Sequence, residues 1–313
     1  MKRTIISLVA VASLACTGIG HAGSQGSSLA ARARLGSRVH LQLSLHAVRR
    51  TRSGDLLGLP VPVDIPLQYG GGPVERNGSV SYAIFWEPPG SIVSASYHSL
   101  VQRYFQDVGG SSFYGLMTQY YQGSNQFIVN ASSLGGTFVD TRAFTANPLQ
   151  DTDIQAEVTH AMAATGWTGG IGHEFFVFTP KGVNSCMGAS CSFTTYCAYH
   201  GHFDSAGTNV LYANMPYAGT DLNGCGAPSS PNGDMDSDAE ISIVSHEHFE
   251  TVTDPNLDAW SDLLGEEIGD KCRLEYGTSD ASGANVHLNG HPYIVQEEYS
   301  NRAFPVLGTC ALS

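Results

Sequence analysis

The stretch that decides the fold of this 313-residue chain is Ser245-His246-Glu247-His248-Phe249-Glu250-Thr251-Val252-Thr253-Asp254-Pro255. Apolar residues at helical spacing precede it, and the pattern predicts a helix over Asp236–Val252 that ends before Pro255. His246 and Glu250 are four positions apart and lie on one face of that helix, where both can reach one cation. Glu247 lies beside this face. The stretch therefore predicts a metal site on a helix.

The spacing is that of the HExxH metallopeptidase motif, with glutamate in place of the second histidine. A carboxylate is an acceptable zinc ligand, so Zn²⁺ is the predicted cofactor. HExxE alone is a weak motif, and the same residues could form a solvated polar face. The apolar remainder of the helix favours the metal site, because burying such groups without a partner would cost roughly several kcal/mol each.

A third ligand is expected from the segment Gly265–Cys272, which follows the helix and contains Glu267 and Asp270. Either acid could bind the metal, with the other supporting His246 as a neighbour of the ligands. Cys272 could hold this loop through a disulfide.

The remaining histidines are expected to be structural. His248 is offset from the ligand face, so we expect a packed or solvated side chain. His200 and His202 follow Cys197 in a predicted loop, and His287 and His291 lie near the C terminus; any of these could polarise a substrate carbonyl. His173-Glu174 begins a predicted strand and is not a second metal motif.

The order of the predicted elements indicates an α+β fold: a zincin-like mixed sheet packed with the metal-binding helix. The predicted strands and helices before that helix follow in chain order: strand Ser81–Phe85, helix Ser91–Gln106, strands Phe127–Val129 and Thr137–Val139, helix Asp151–Thr165, strands Glu174–Thr179 and Asn209–Ala213.

The charge is divided unevenly along the chain. The 15 basic and 28 acidic residues give −13 overall, but eight basic residues and no acid precede Asp55, so the remainder carries seven basic residues and a charge of −21. This charge argues against nucleic acid as a partner, because phosphate binding needs a positive surface.

The N terminus predicts a secretory signal peptide over residues 1–22. Residues 23–54 follow as a basic propeptide or tail that closes with Arg49-Arg50-Thr51-Arg52, and residues 55–313 form one domain. A basic propeptide could dock on the acidic body and block a cleft until it is cut; a tail without such a role is the alternative. Lipidation at Cys16 is disfavoured, because Ser13 stands where such sites prefer leucine.

Six cysteines remain after Cys16: Cys186, Cys191, Cys197, Cys225, Cys272 and Cys310. An even number in an exported chain indicates disulfides, whose pairing the sequence leaves open. Metal binding by the first three is disfavoured by their spacing. No stretch predicts a transmembrane helix, and the protein is expected to be extracellular.

Several segments resemble the EXORDIUM-like, phosphate-induced extracellular proteins, in their bacterial branch. The similarity covers roughly residues 75–313 and rests on these segments: Ser81–Gln106, Phe175–Thr179, Cys191–His200, Val210–Asn214, the SHEHFETVTDP helix, Glu267–Cys272 and Gln296–Asn301. Plant members are secreted cell-wall proteins, whereas bacterial-type members keep the HExxE helix and look like zincins.

The resemblance and the helix geometry together imply a secreted zinc metalloendopeptidase that acts on proteins or peptides. Zinc would be held by His246, Glu250 and Glu267 or Asp270. Glu247 would act as general base toward the attacking water and return the proton to the leaving amine. The alternative is a noncatalytic extracellular wall or glycan-associated protein with at most a structural metal. The oligomeric state is not predicted.

Overall fold

The computed structural model describes residues 39–44, 65–302 and 308–313. The predicted signal peptide, Cys16, the run Arg49–Arg52 and most of the basic segment 23–54 lie outside these residues. Within that basic segment, residues 39–44 are described, and they form part of the main sheet.

The main sheet has six strands in the order β1-β11-β12-β8-β3-β6. Their bounds are β1 Val39–Leu43, β3 Ser79–Trp86, β6 Ser132–Asp140, β8 His173–Thr179, β11 Tyr196–Ser205 and β12 Thr208–Pro216. Neighbouring strands from β6 to β12 run parallel, and β11 and β1 are added antiparallel at one edge. The predicted α+β fold with a mixed sheet is confirmed.

Five α-helices and several short strands complete the described part of the chain. The helices are α1 Tyr97–Asp107, α2 Ser112–Gly115, α3 Asp151–Thr165, α4 Leu222–Cys225 and α5 Met235–Thr253. The short strands are β2 Gln68–Tyr69, β4 Tyr121–Gln122, β5 Gln126–Phe127, β7 Leu149–Gln150, β9 Ser185–Met187, β10 Ser190–Cys191, β13 Trp260–Ser261, β14 Val286–Leu288, β15 His291–Tyr293, β16 Glu298–Ser300 and β17 Thr309–Ala311.

The sheet separates two apolar layers, because successive side chains of a strand point to opposite faces. In β8, Phe176 and Phe178 pack with the core on the side of α1 and α5. Phe175 and Val177 pack with the core on the side of α3. The sheet therefore supports α5 on one face and α3 on the other.

Local signals set most helix ends. Helix α3 has the predicted bounds and stops at Gly166, which adopts φ 78° in the left-handed region where glycine is favoured. Helix α5 ends at Thr253, before Pro255, as predicted. Helix α1 begins at Tyr97 rather than at Ser91, since residues 91–96 form a loop in which the Ser94 and Ser96 hydroxyls donate to Asp234.

The predicted strands show two differences. Residues 126–127, rather than Phe127–Val129, form the short strand β5. Residues 196–205, expected to lie in a loop around His200 and His202, form the long strand β11. The long-range pairing of β11 with β1 and β12 supplies the stabilisation that its sequence alone does not indicate.

Three disulfides confirm the prediction for the six cysteines. They join Cys186 to Cys191, Cys197 to Cys225 and Cys272 to Cys310. Among the described residues, no helix combines the length and apolar character that crossing a bilayer would require.

Candidate metal centre

Helix α5 supplies three of the candidate site residues. Its first turn is capped by Asp234, whose side chain accepts a hydrogen bond from the Ser237 amide. Two turns before the C-terminal end of the helix, His246 Nε2 lies 3.1 Å from Glu250 Oε1. Both side chains and that of Glu247 are fully buried. The i, i+4 pair therefore faces the protein interior rather than solvent.

The loop after α5 folds back onto this pair. A short 3₁₀ turn over Asp270–Cys272 directs Asp270 toward the helix, and its amide donates to Glu250 Oε1 at 3.1 Å. The Glu267 amide in turn lies 3.4 Å from Asp270 Oδ2. The Cys272–Cys310 disulfide anchors the end of the loop. Both predicted alternatives for the third ligand, Glu267 and Asp270, thus lie in the same buried region.

Strand β11 adds a histidine that we expected to be structural. His200 Nε2 lies 3.3 Å from Glu267 Oε2 and 3.6 Å from Glu250 Oε2, and the side chain is fully buried. The strand crosses beside α5 and presents this imidazole to Glu250, which His246 also approaches.

Strand β1 adds a third histidine, His40, which is paired with His200 in the β1–β11 register. Its Nδ1 lies 3.2 Å from Glu267 Oε1, and its Nε2 contacts Asp270 Oδ2 and lies 4.0 Å from Glu250 Oε2. A residue of the basic N-terminal segment therefore lies among the candidate metal ligands.

We call this group the histidine–carboxylate cluster. It consists of His40, His200, His246, Glu247, Glu250, Glu267 and Asp270. Within it, two sets of three ligand atoms lie within 4.8 Å of one another: one from His40, Glu250 and Asp270, and one from His200, Glu247 and Glu250. Tetrahedral zinc ligands at about 2 Å from the ion are about 3.3 Å apart; either set could hold a cation, and the two sets share Glu250.

Burial and mutual repulsion govern the acids of the cluster. Burial, reinforced by the charges of Glu250, Asp270 and Glu298, raises the pKa of Glu247 well above its usual range. Burial also opposes ionisation of Asp270, but the neighbouring His40 and Arg273 outweigh it and hold the pKa of this carboxyl below its usual range. Within the cluster, Glu247 therefore favours its protonated form and Asp270 favours its ionised form.

Burial, together with the neighbouring charges of His40 and His246, lowers the pKa of His200 well below its usual value. A histidine binds a metal ion as the neutral imidazole. Its position therefore keeps His200 in the form that can act as a ligand.

The polar atoms of the cluster are suited to a cation. Among the described residues, His200 Nδ1 and Nε2, His246 Nε2, Glu250 Oε2 and both oxygens of Glu247 lack a hydrogen-bond partner. Leaving such groups buried and unpaired is costly. Imidazole nitrogens with carboxylate oxygens are a donor set that zinc accepts, so the residues present fit this ion.

Two neighbours fix the orientation of His246. The side-chain amide nitrogen of Gln296 lies 3.0 Å from His246 Nδ1 and donates to the Gly269 carbonyl at 2.6 Å, so that Nε2 faces the cluster. Gly269 packs directly on the ring, and a Cβ there would lie 2.5 Å from Nδ1. A side chain at position 269 would therefore displace the imidazole.

The structure thus brings together all five predicted site residues, from His246 to Asp270, and adds His40 and His200. The pattern Val39-His40-Leu41-Gln42-Leu43 alternates apolar and polar residues and could have indicated a strand. No comparable signal marks His200.

The other candidate histidines lie outside the cluster. His202 contacts Asn209, His287 contacts Asp280 at the surface, and His291 contacts Asp107. His248 is a packed histidine, as expected; its Nε2 lies 3.0 Å from Ser79 Oγ.

Comparisons with known proteins give one partial match. The chain is 35% identical over 89 residues to "Protein EXORDIUM-like 3" of Arabidopsis thaliana, and the match covers 23% of this chain and 26% of that protein. No family model matches the chain. No solved structure matches it. The similarity to an EXORDIUM-like protein is therefore confined to about a quarter of either chain.

Proposed function

We propose that the protein is a secreted, zinc-dependent metalloendopeptidase with a zincin-like fold. The observation that carries the proposal is the position of Glu247, which has no hydrogen-bond partner among the described residues and places a carboxylate oxygen within 4.8 Å of ligand atoms of His200 and Glu250. With His246, Glu250 and an acid of the following loop as the ligands, this carboxylate stays beside them, which is the arrangement that hydrolysis by a metal-activated water needs.

His246, Glu250 and one of Glu267 and Asp270 would hold the ion, and His200 is positioned to join them. A bound zinc ion supplies Lewis-acid catalysis, polarising a carbonyl and making water more acidic.

Glu247 acts as the general base in this scheme. It takes a proton from the water that attacks the peptide carbonyl and returns that proton to the leaving amine. Burial raises the pKa of Glu247, so this carboxyl holds a proton taken from water more strongly than an exposed glutamate does.

The test compares purified wild type with Glu247→Gln. We expect wild type to contain about one zinc per chain and to cleave casein in a chelator-sensitive manner. The variant should retain the metal but lose cleavage by about a hundredfold or more. A wild-type protein without zinc, or a variant that cleaves as well as wild type, would remove the peptidase proposal.

A noncatalytic wall or glycan-associated protein with a structural metal is the second candidate. The observation that favours it is burial: the side chains of His200, His246, Glu247 and Glu250 are all fully inaccessible. Structural zinc sites are closed, whereas catalytic ones keep an open position. In this case metal removal would unfold the protein, and no protein substrate would be cleaved.

Secretion is part of the proposal and rests on the signal-like residues 1–22. The three disulfides are compatible with an oxidising, extracellular compartment.

A further inference from the structure

Strand β1 covers the edge of the sheet beside the histidine–carboxylate cluster. It pairs antiparallel with β11, with Val39 opposite Gly201, His40 opposite His200 and Leu41 opposite Tyr199. All five of its residues are buried. Without β1, the backbone N–H and C=O groups of β11 would form an open edge directly beside the cluster, and such an edge accepts an extended peptide as an added strand.

The two faces of β1 contact different surroundings. Val39, Leu41 and Leu43 belong to the apolar core on the α3 side of the sheet. His40, on the opposite face, reaches into the cluster and contacts Asp270. Any peptide bound along β11 in this register would place alternate side chains in an apolar groove and the others over the candidate metal ligands.

Covalent attachment of β1 to the remainder of the protein is limited. The six cysteines of the body pair with one another, so no disulfide among the described residues holds β1. The chain that follows β1 contains Arg49-Arg50-Thr51-Arg52, a run suited to proteases that hydrolyse peptide bonds after arginine. After such a cut, β1 would be held only by noncovalent contacts.

We propose that the edge of β11 is a cleft for an extended peptide with alternating apolar residues, and that β1 occupies this cleft in the uncut chain. His40 then takes a place among the metal ligands and leaves with the strand. This inference rests on the proposed function, and it explains how a fully buried site could become open to a substrate.

The experiment uses the full chain with Arg49–Arg52 replaced by the recognition sequence of a site-specific protease, so that the cut can be made at will. The first measurement is retention of the N-terminal fragment on the body, by size-exclusion chromatography and mass spectrometry. Because the fragment is basic and the body acidic, we expect release after the cut to increase at high salt. Near-UV circular dichroism should show that the body stays folded.

The second measurement is the rate at which a chelator extracts zinc from the cut and uncut proteins. We expect extraction to be about tenfold faster or more once β1 has left, because the departure of a ligand and its strand opens the site. A synthetic peptide of residues 37–44 should rebind and restore slow extraction.

Two variant peptides distinguish the contribution of the His40 side chain to rebinding from that of the strand backbone. His40→Ala in the peptide should weaken rebinding by about tenfold or more, since a contact with a charged group is lost. Gln42→Ala, on the same face of β1, should rebind like the native peptide.

Two results would overturn the inference: a fragment that leaves only when the body unfolds, or a full-length His40→Ala variant that no longer binds zinc. Either would make β1 a permanent part of the site. If the fragment leaves and the peptide rebinds but the open body cleaves no protein, the peptide cleft stands and the proposed peptidase function fails. If the uncut protein cleaves as well as the cut one, the occluding role of β1 fails and the peptidase function stands.

Discussion

Glu240→Gln should stabilise the protein at neutral pH and remove part of its pH dependence. Glu240 lies on α5, fully buried, and accepts a hydrogen bond from the Ala218 amide at 2.8 Å. Burial raises the pKa of this carboxyl from 4.5 to about 8, despite the hydrogen bonds from Ala218 and Tyr97. Below pH 4.5 the carboxyl is protonated in both folded and unfolded chains, so it has no differential effect there.

The magnitude follows from the two pKa values. As pH rises from 4.5 to about 8, the unfolded carboxyl ionises while the folded one keeps its proton, and folding stability falls throughout this interval. Each pH unit costs about 1.4 kcal/mol, so the loss is about 3 kcal/mol by pH 7 and about 4 kcal/mol by pH 8, where the folded carboxyl begins to ionise as well. Glutamine is isosteric with the protonated acid and keeps the acceptor for Ala218, so the variant should not lose this stability.

The assay is urea unfolding of both proteins between pH 4.5 and pH 8.5, with disulfides intact and excess chelator present so that zinc affinity does not enter. We expect similar unfolding free energies at pH 4.5 and a gap that widens toward pH 8. Parallel curves for wild type and variant would refute the reasoning, since they would mean that Glu240 ionises alike in both states.

Asp107→Asn serves as a control, because its effect on the free energy of unfolding at neutral pH should be opposite to that of Glu240→Gln. Burial opposes ionisation of Asp107, but hydrogen bonds from Tyr293, Asn289 and His291 outweigh it and hold its pKa below the usual 3.8. Its contribution to stability is present above pH 3.8 and is lost as pH falls through the folded-state pKa. The variant should therefore be less stable than wild type near pH 7, and this difference should shrink in acid.

Two further predictions concern the support of the metal centre. Gly269→Ala should lower zinc affinity by about tenfold to a hundredfold, because a Cβ at 2.5 Å from the His246 ring displaces it; competition with a fluorescent zinc chelator would measure this, and unchanged affinity would contradict the packing argument. Cys310→Ser should lower the free energy of unfolding by about 4 kcal/mol, as expected for a disulfide with a sequence separation of 38. It should also weaken zinc binding through the loop that carries Asp270; a loss of stability without a loss of affinity would show that the loop is held by other contacts.

The sequence predicted the elements whose signals are local. Helix α3 has a clear stop at Gly166, and α5 ends before Pro255. The spacing of His246 and Glu250 then fixed their common face, because helical geometry leaves no alternative. These residues lie within a few positions of one another, so no long-range information was needed.

The parts that escaped prediction depend on pairing between distant segments. His200 follows a cysteine-rich stretch with turn-like composition, and only its partners in β1 and β12 make it a strand residue. His40 lies in a basic segment whose composition indicates a propeptide or tail more strongly than its five-residue alternation indicates a strand. The choice between Glu267 and Asp270 depended on the path of a loop, and that loop places both carboxylates next to His40.

The contact between His40 and Asp270 joins residues 230 positions apart in the 313-residue sequence. Joining such distant segments carries a loop-closure entropy, so this contact depends on the pairing of β1 with β11. In the uncut chain, the full set of candidate ligands is therefore complete only once β1 is in place. Docking of the N-terminal segment and completion of the metal site would then be coupled, and a chain in which β1 has not paired would hold an ion through fewer ligands.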